Sequence, residues 1–149
     1  HLVGPTGSVR AIEKSPVLGA LVREGMKIYA HRTAEVEDAM RRVEVVTADA
    51  MAYLSTQEAH SWDVVYFDPM FEGTLRKSQG LEVVRRLACQ DRITDQFIDE
   101  AGRVARRCVV MKDRVPGRML ASLGFEQISR KGRIYYGMMR RDGTSPGGE

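Results

Sequence analysis

Apolar and polar positions alternate in a repeating rhythm along most of the chain. Ser8 to Glu13 alternates with a period of two behind the turn-rich Gly4-Pro5-Thr6-Gly7, which predicts a strand entered from a loop and ending on an acid. Ser15-Pro16 then offers a helix N-cap with proline in the first turn, and Val17, Leu18, Leu21, Val22 and Tyr29 recur on one helical face. Val43 to Thr47 is a β-branched run that reads as a second strand, followed by Asp49 in position to cap a short helix carrying Met51 and Leu54. Asp63 to Asp68 is nearly continuous in apolar character, the pattern of a strand covered on both faces. Beyond a polar loop through Lys77, two helical stretches are expected, the second carrying Phe97, Ile98, Ala101, Val104 and Ala105, and then a strand over Cys108 to Lys112.

The C-terminal third changes rhythm. A short helix over Met119 to Leu123 should stop at Gly124, and strands near 125–129 and 133–139 with Arg130-Lys131-Gly132 between them predict a hairpin. Strand and helix in alternation, closed by an antiparallel hairpin, define a Rossmann-like, doubly wound α/β fold with a mostly parallel sheet. Residues 1–141 read as one domain, and the glycine-rich, polar 142–149 as a flexible tail.

A length of 149 residues suits one domain with a modest core. The balance of 23 basic against 20 acidic residues is compatible with a polyanionic partner without requiring one. Cys89 and Cys108 are far apart and each lies beside apolar residues, so neither a disulfide framework nor a metal cluster is suggested, and a reducing cytoplasm fits. No apolar run approaches the roughly 20 residues of a membrane helix, and the reading expects no leader and no membrane partner. His31 and His60 stand without a second ligand at metal spacing, so a surface or capping role is expected of each and no metal is assigned. Paired arginines such as Arg41-Arg42 and Arg106-Arg107 read as solvated helix ends.

In a doubly wound sheet, ligands bind beyond the carboxyl ends of the strands, so Glu13, Asp49, Asp68 and Lys112 are expected to line one crevice. An acid that closes a strand before a helix can accept from both hydroxyls of a ribose, which makes Glu13 the candidate for a nucleotide-like cofactor. Asp49 reads equally as a helix cap or as an acceptor for an adenine amino group. Gly4 and Gly7 lie too close to Glu13 to form a dinucleotide phosphate loop. The sharpest signal is Asp68-Pro69-Met70-Phe71 directly after a strand. An exocyclic amine has its lone pair delocalised into the ring and must be turned before it can attack a methyl donor. The carboxylate of Asp68 and the carbonyl of Pro69 can accept its two N–H groups, and Phe71 can stack on a base taken out of its helix.

That tetrapeptide resembles the catalytic motif of amino-methyltransferases, which joins Asp, Asn or Ser to Pro, a variable residue and an aromatic. With 9–17 and 108–112, the chain resembles the bacterial small-subunit ribosomal RNA guanine-N2 methyltransferases, which use S-adenosyl-L-methionine. The resemblance implies that Glu13, Lys14, Asp49, Ala50 and Asp68 bind the cofactor. It implies that Asp68, Pro69 and Phe71 serve catalysis, and that Met70, Arg76, Lys77 and Lys112 meet the substrate, a base in ribosomal RNA. Glu72-Gly73-Thr74 stands where the family usually continues with proline and a basic stretch. The family's first strand and glycine loop find no counterpart before Gly4. The reading therefore expects that strand to be missing, and the strands ending at Glu13 and Asp68 not to pair with each other. Two further readings stand beside this one: a methyltransferase-fold module that binds RNA or a partner without transfer, and an enzyme of the same chemistry acting on adenine N6 or a protein amide.

Overall fold

The computed structural model describes residues 2–69 and 93–141, which fall into two compact units, 2–53 and 54–69 with 93–141. Met70, Phe71, Arg76, Lys77, Cys89, the first helical stretch expected after Lys77 and the 142–149 tail lie outside the described residues.

The first unit is built on two parallel strands, β1 (Val9–Glu13) and β2 (Val43–Thr47), paired from Val9 opposite Val43 to Glu13 opposite Thr47. Between them runs α1 (Pro16–Ile28), started by the Ser15 hydroxyl accepting from Leu18 N, as the Ser-Pro signal predicts. Helix α1 approaches β2 at Gly19, where an added Cβ would lie 2.6 Å from Thr47 Oγ1. Arg23, one turn on, donates to Val45 O at 3.1 Å and Thr47 Oγ1 at 3.2 Å. The apolar face expected of α1 is only partly used: Leu18 is 5% exposed, but Val17 is 57% and Leu21 62% exposed. Helix α2 (Ala34–Arg41), not among the expected elements although Val36, Ala39 and Met40 recur at helical spacing, has Thr33 at its N-cap, acids Glu35 and Glu37 in its first turn and Arg41 in its last.

Helix α3 (Ala50–Ser55) leads from the first unit into the second, which holds a sheet in the order β3, β4, β6, β5. Strand β3 (Trp62–Phe67) pairs parallel with β4 (Ala105–Arg114), with Phe67 opposite Met111. Helix α4 (Asp95–Val104) connects to β4, its start capped by Thr94 Oγ1 accepting from Phe97 N. Its Ile98, Ala101 and Val104 join Leu54, Val109 and Met111 in the core. Ala105, expected on the helix, opens β4 instead, and that strand is ten residues long. Helix α5 (Arg118–Ser122), β5 (Glu126–Lys131) and β6 (Ile134–Arg140) complete the unit, with β6 antiparallel to both β4 and β5. Lys131 pairs with Ile134, so the hairpin turns on Gly132 and Arg133, and the expected loop residues Arg130 and Lys131 are part of β5. Gly132 takes φ 61°, a left-handed value that glycine adopts without strain.

Strand β3 departs from expectation in its cover. Val65 and Phe67 pack on the core, whereas Val64 is 45% and Tyr66 50% exposed. A continuous apolar run does not require two covered faces, because β-branched and aromatic residues also suit an edge strand. Trp62 packs against the core, and its indole N–H donates to Gln57 Oε1 at 3.3 Å. Strands β1 and β3 belong to different sheets, in agreement with the expectation that they do not pair.

Candidate functional site

At the carboxyl end of the first sheet, the chain brings together Glu13, Lys14 and Asp49. Glu13 closes β1, and its Oε1 accepts from Ser15 N at 2.8 Å, which fixes the carboxylate at the mouth of α1. Among the described residues no donor meets Oε2. A half-buried carboxylate anchored through one oxygen and open at the other is a suitable acceptor for ribose hydroxyls. Glycine at position 19 lets α1 lie close to this strand end, since an added Cβ would collide with Thr47 Oγ1 while only touching Glu13 Cγ at 3.8 Å.

Asp49 follows β2. Its Oδ1 accepts from Ala52 N at 3.0 Å, capping α3, and its Oδ2 meets Lys14 Nζ at 2.9 Å. The Ala52 N–H first, then Lys14, hold its carboxyl below the ordinary aspartate range. Of the two roles open to Asp49, the cap is present, and both oxygens are already engaged. Ala50 begins α3, so its N–H has no acceptor within the helix.

In the second unit, Asp68 and Pro69 directly follow β3, and the residue before them is pinned. The Phe67 ring meets Phe97 of α4 edge-on, with centroids 5.1 Å apart and an interplanar angle of 80°. Asp68 Oδ1 accepts from Lys112 Nζ at 2.7 Å, and no donor reaches Oδ2 among the described residues. Lys112 pairs in register with Tyr136 of β6 and reaches Asp68 just past the end of β3. Tyr66 lies two residues before Asp68 on the same side of β3. Burial first, then the Asp68 charge and Tyr136, push its phenol up to about 12.

Sequence reasoning missed Tyr66 and Tyr136, because nothing in a strand sequence tells which neighbour a tyrosine will meet two strands away. It also missed Asp113, a buried acid whose carboxylate accepts from Arg114 N at 2.6 Å, Met119 N at 2.9 Å and Leu120 N at 3.1 Å. The acid lies too far upstream of α5 to be recognised as its cap. His31 and His60 each meet a backbone group: His31 Nδ1 accepts from Thr33 N at 3.1 Å, and His60 Nδ1 lies 3.3 Å from Ala105 O. Cys108 is a buried free thiol. No helix among the described residues is long and apolar enough to cross a membrane.

An α/β fold of parallel-strand sheets with acids at its strand ends is the architecture of nucleotide-cofactor enzymes. Residues 4–132 match the family described as "Putative SAM-dependent methyltransferase", and the chain belongs to that family. It is 38% identical over 145 residues to Bacillus subtilis "Uncharacterized protein YpiP", covering 97% of this chain and 55% of that protein. It is 33% identical over 119 residues to "Ribosomal RNA small subunit methyltransferase J" of Nitrosococcus oceani, covering 77% of this chain and 46% of that enzyme. The chain therefore spans about half the length of the curated relatives it matches. The crystal structure of a SAM-dependent methyltransferase from Neisseria gonorrhoeae aligns with a TM-score of 0.61 at 20% identity, over 95% of this chain and 56% of that one. That likeness supports the fold. The family's cofactor is S-adenosyl-L-methionine, and the anchored, open carboxylate of Glu13 suits its ribose.

Proposed function

We propose that the protein methylates the exocyclic amine of a base in small-subunit ribosomal RNA, with guanine N2 as the target atom, in the cytoplasm. The observation that carries the reading is the state of Asp68: one oxygen tied to Lys112, the other open, and Pro69 next in the chain at the end of a pinned strand. The naming of relatives as small-subunit ribosomal RNA methyltransferases supports the choice of substrate.

S-adenosyl-L-methionine, when bound, supplies an electrophilic methyl group on a positively charged sulfur. Glu13 would hold its ribose, with the N–H of Ala50 and the Lys14–Asp49 pair beside the adenine. Asp68 Oδ2 and the Pro69 carbonyl would accept the two N–H groups of the substrate amine. Fixing those hydrogens turns the nitrogen lone pair out of the ring system and toward the methyl group. As the new N–C bond formed, the bond between that methyl group and sulfur would break and leave a neutral thioether, S-adenosylhomocysteine, and the N–H proton lost from the cationic nitrogen would pass to Asp68 Oδ2. No strong base is needed, because an alkylated amine of this kind is acidic. Phe71 would stack on the base, with Met70, Arg76 and Lys77 as further substrate contacts.

The test incubates full-length protein with isotope-labelled cofactor and unmethylated small-subunit ribosomal RNA, then identifies the labelled nucleoside. N2-methylguanosine is the expected product. Asp68→Ala should abolish transfer while leaving cofactor affinity measured by calorimetry almost unchanged, the signature of an interaction made in the transition state. Labelled N6-methyladenosine would move the target atom and keep the chemistry. A folded, cofactor-bound wild-type protein that labels no nucleic acid, with Asp68→Ala indistinguishable from it, would rule the proposal out in favour of a binding module.

A further inference from the structure

Lys112 is committed to a partner. Its ammonium lies 2.7 Å from Asp68 Oδ1, with 26% of its own side chain and 52% of that of Asp68 exposed. The base of this lysine is rigid, because its neighbours on β4, Met111 and Asp113, are both buried. Asp113 further ties the strand end to the start of α5 through Met119 N and Leu120 N. On the other side, Lys112 is in register with Tyr136 on β6. A long, flexible side chain thus rises from one of the best-held segments of the second unit and ends on the carboxylate that follows β3.

The consequence concerns rotation. The carboxylate torsion of aspartate is broad and roughly two-fold, so an exposed Asp68 would present either oxygen over a wide arc. A charge-assisted donor on Oδ1 restricts that freedom, and Oδ2 meets no donor among the described residues. We propose that Lys112 is a positioning residue that acts through Asp68, holding Oδ1 so that Oδ2 meets the substrate amine, rather than a cation that contacts RNA phosphate. The inference rests on the assignment of Asp68 as the amine acceptor. A lysine serving phosphate would be expected to reach away from the carboxylate, as a strongly hydrated point charge on a mobile stem.

The experiment measures kcat, KM for unmethylated small-subunit ribosomal RNA, and cofactor affinity for full-length Lys112→Met, Lys112→Arg and Asp68→Ala. Lys112→Met should lower kcat about 100-fold, the scale of a misplaced reacting group, with KM for RNA and cofactor affinity essentially unchanged. Lys112→Arg should restore most of kcat, since a guanidinium also donates to a carboxylate. A loss in Lys112→Met that lies wholly in KM for RNA overturns the inference. So does full kcat in Lys112→Met while Asp68→Ala is inactive, an outcome that leaves the assignment of Asp68 standing. If Asp68→Ala matches the wild type, the assignment itself fails and the inference falls with it. Should Lys112→Met fail to fold, Lys112→Gln provides the same split: reduced kcat at constant KM supports positioning, and raised KM at constant kcat overturns it.

Discussion

Glu13 and Asp49 show how two acids at equivalent strand ends come to differ. Glu13 closes β1 and Asp49 stands two residues past the end of its parallel partner β2, yet Asp49 spends both oxygens within the protein, on Ala52 N and Lys14, while Glu13 spends one, on Ser15 N. The extra methylene of glutamate allows its carboxylate to reach back to Ser15 and still present Oε2. The cofactor contact is accordingly expected to depend on Glu13 more than on the Asp49 side chain. Glu13→Ala in the full-length protein should weaken S-adenosyl-L-methionine binding by roughly 1–3 kcal/mol, the cost of charge-assisted hydrogen bonds left unmade. Isothermal calorimetry reads this directly, and unchanged affinity would remove Glu13 from the site. The acid itself was legible from its position after a period-two strand. Its anchoring on Ser15 was not, because Ser15 is also the N-cap of α1 and one residue's two roles cannot be separated by type alone.

Elements place these side chains through contacts that periodicity does not encode. Strand β4 runs ten residues where five were expected, since Arg106, Arg107, Asp113 and Arg114 do not look like sheet residues until their neighbours are known. Arg106 finds Asp63 beside it at 2.8 Å, and Asp113 finds the free N–H groups of α5. Gly137 shows the same dependence on packing: an added Cβ would lie 2.4 Å from Leu120 Cδ2 and 2.9 Å from Phe125 Cβ, so β6 passes α5 closely only because that side chain is absent. The junction of β4 and α5 should therefore rest on Asp113. Asp113→Ala leaves three N–H groups without their acceptor and should cost roughly 2–3 kcal/mol in urea denaturation, with Asp113→Asn recovering part of it. A change within error would show that water replaces the carboxylate at no cost.

For the molecule as a whole, the excess of 23 basic over 20 acidic residues is a poor guide to where RNA would lie. Arg10 pairs with Glu44, Arg41 with Glu37, Arg103 with Glu100 and Arg106 with Asp63, so much of the positive charge is answered on the protein's own surface. Arg106→Ala in the full-length protein is expected to leave both the affinity for small-subunit ribosomal RNA and its salt dependence unchanged. A salt slope shallower by about 0.7, the value for one lost phosphate contact on a single strand, would place Arg106 in the RNA interface instead.

By itself, the amino-acid sequence determined the α/β class, the order of the principal strands, the start of α1 at Ser15-Pro16 and the hairpin at the C-terminal end. These follow from local rules of side-chain period, proline, glycine and capping, which act within a few residues. It also marked Asp68-Pro69 as the candidate place for amine chemistry, because that reading rests on residue types together with their position after a strand. Only the tertiary structure decided that Lys112 would hold Asp68, that Asp49 would be consumed as a cap, and that Asp113 would serve a helix beyond its own strand. It decided as well that Val64 and Tyr66 would stay exposed on β3. Each of those outcomes depends on which strand lies beside which and in what register, and a pairing between residues 44 positions apart, as for Asp68 and Lys112, leaves no periodic trace in the chain.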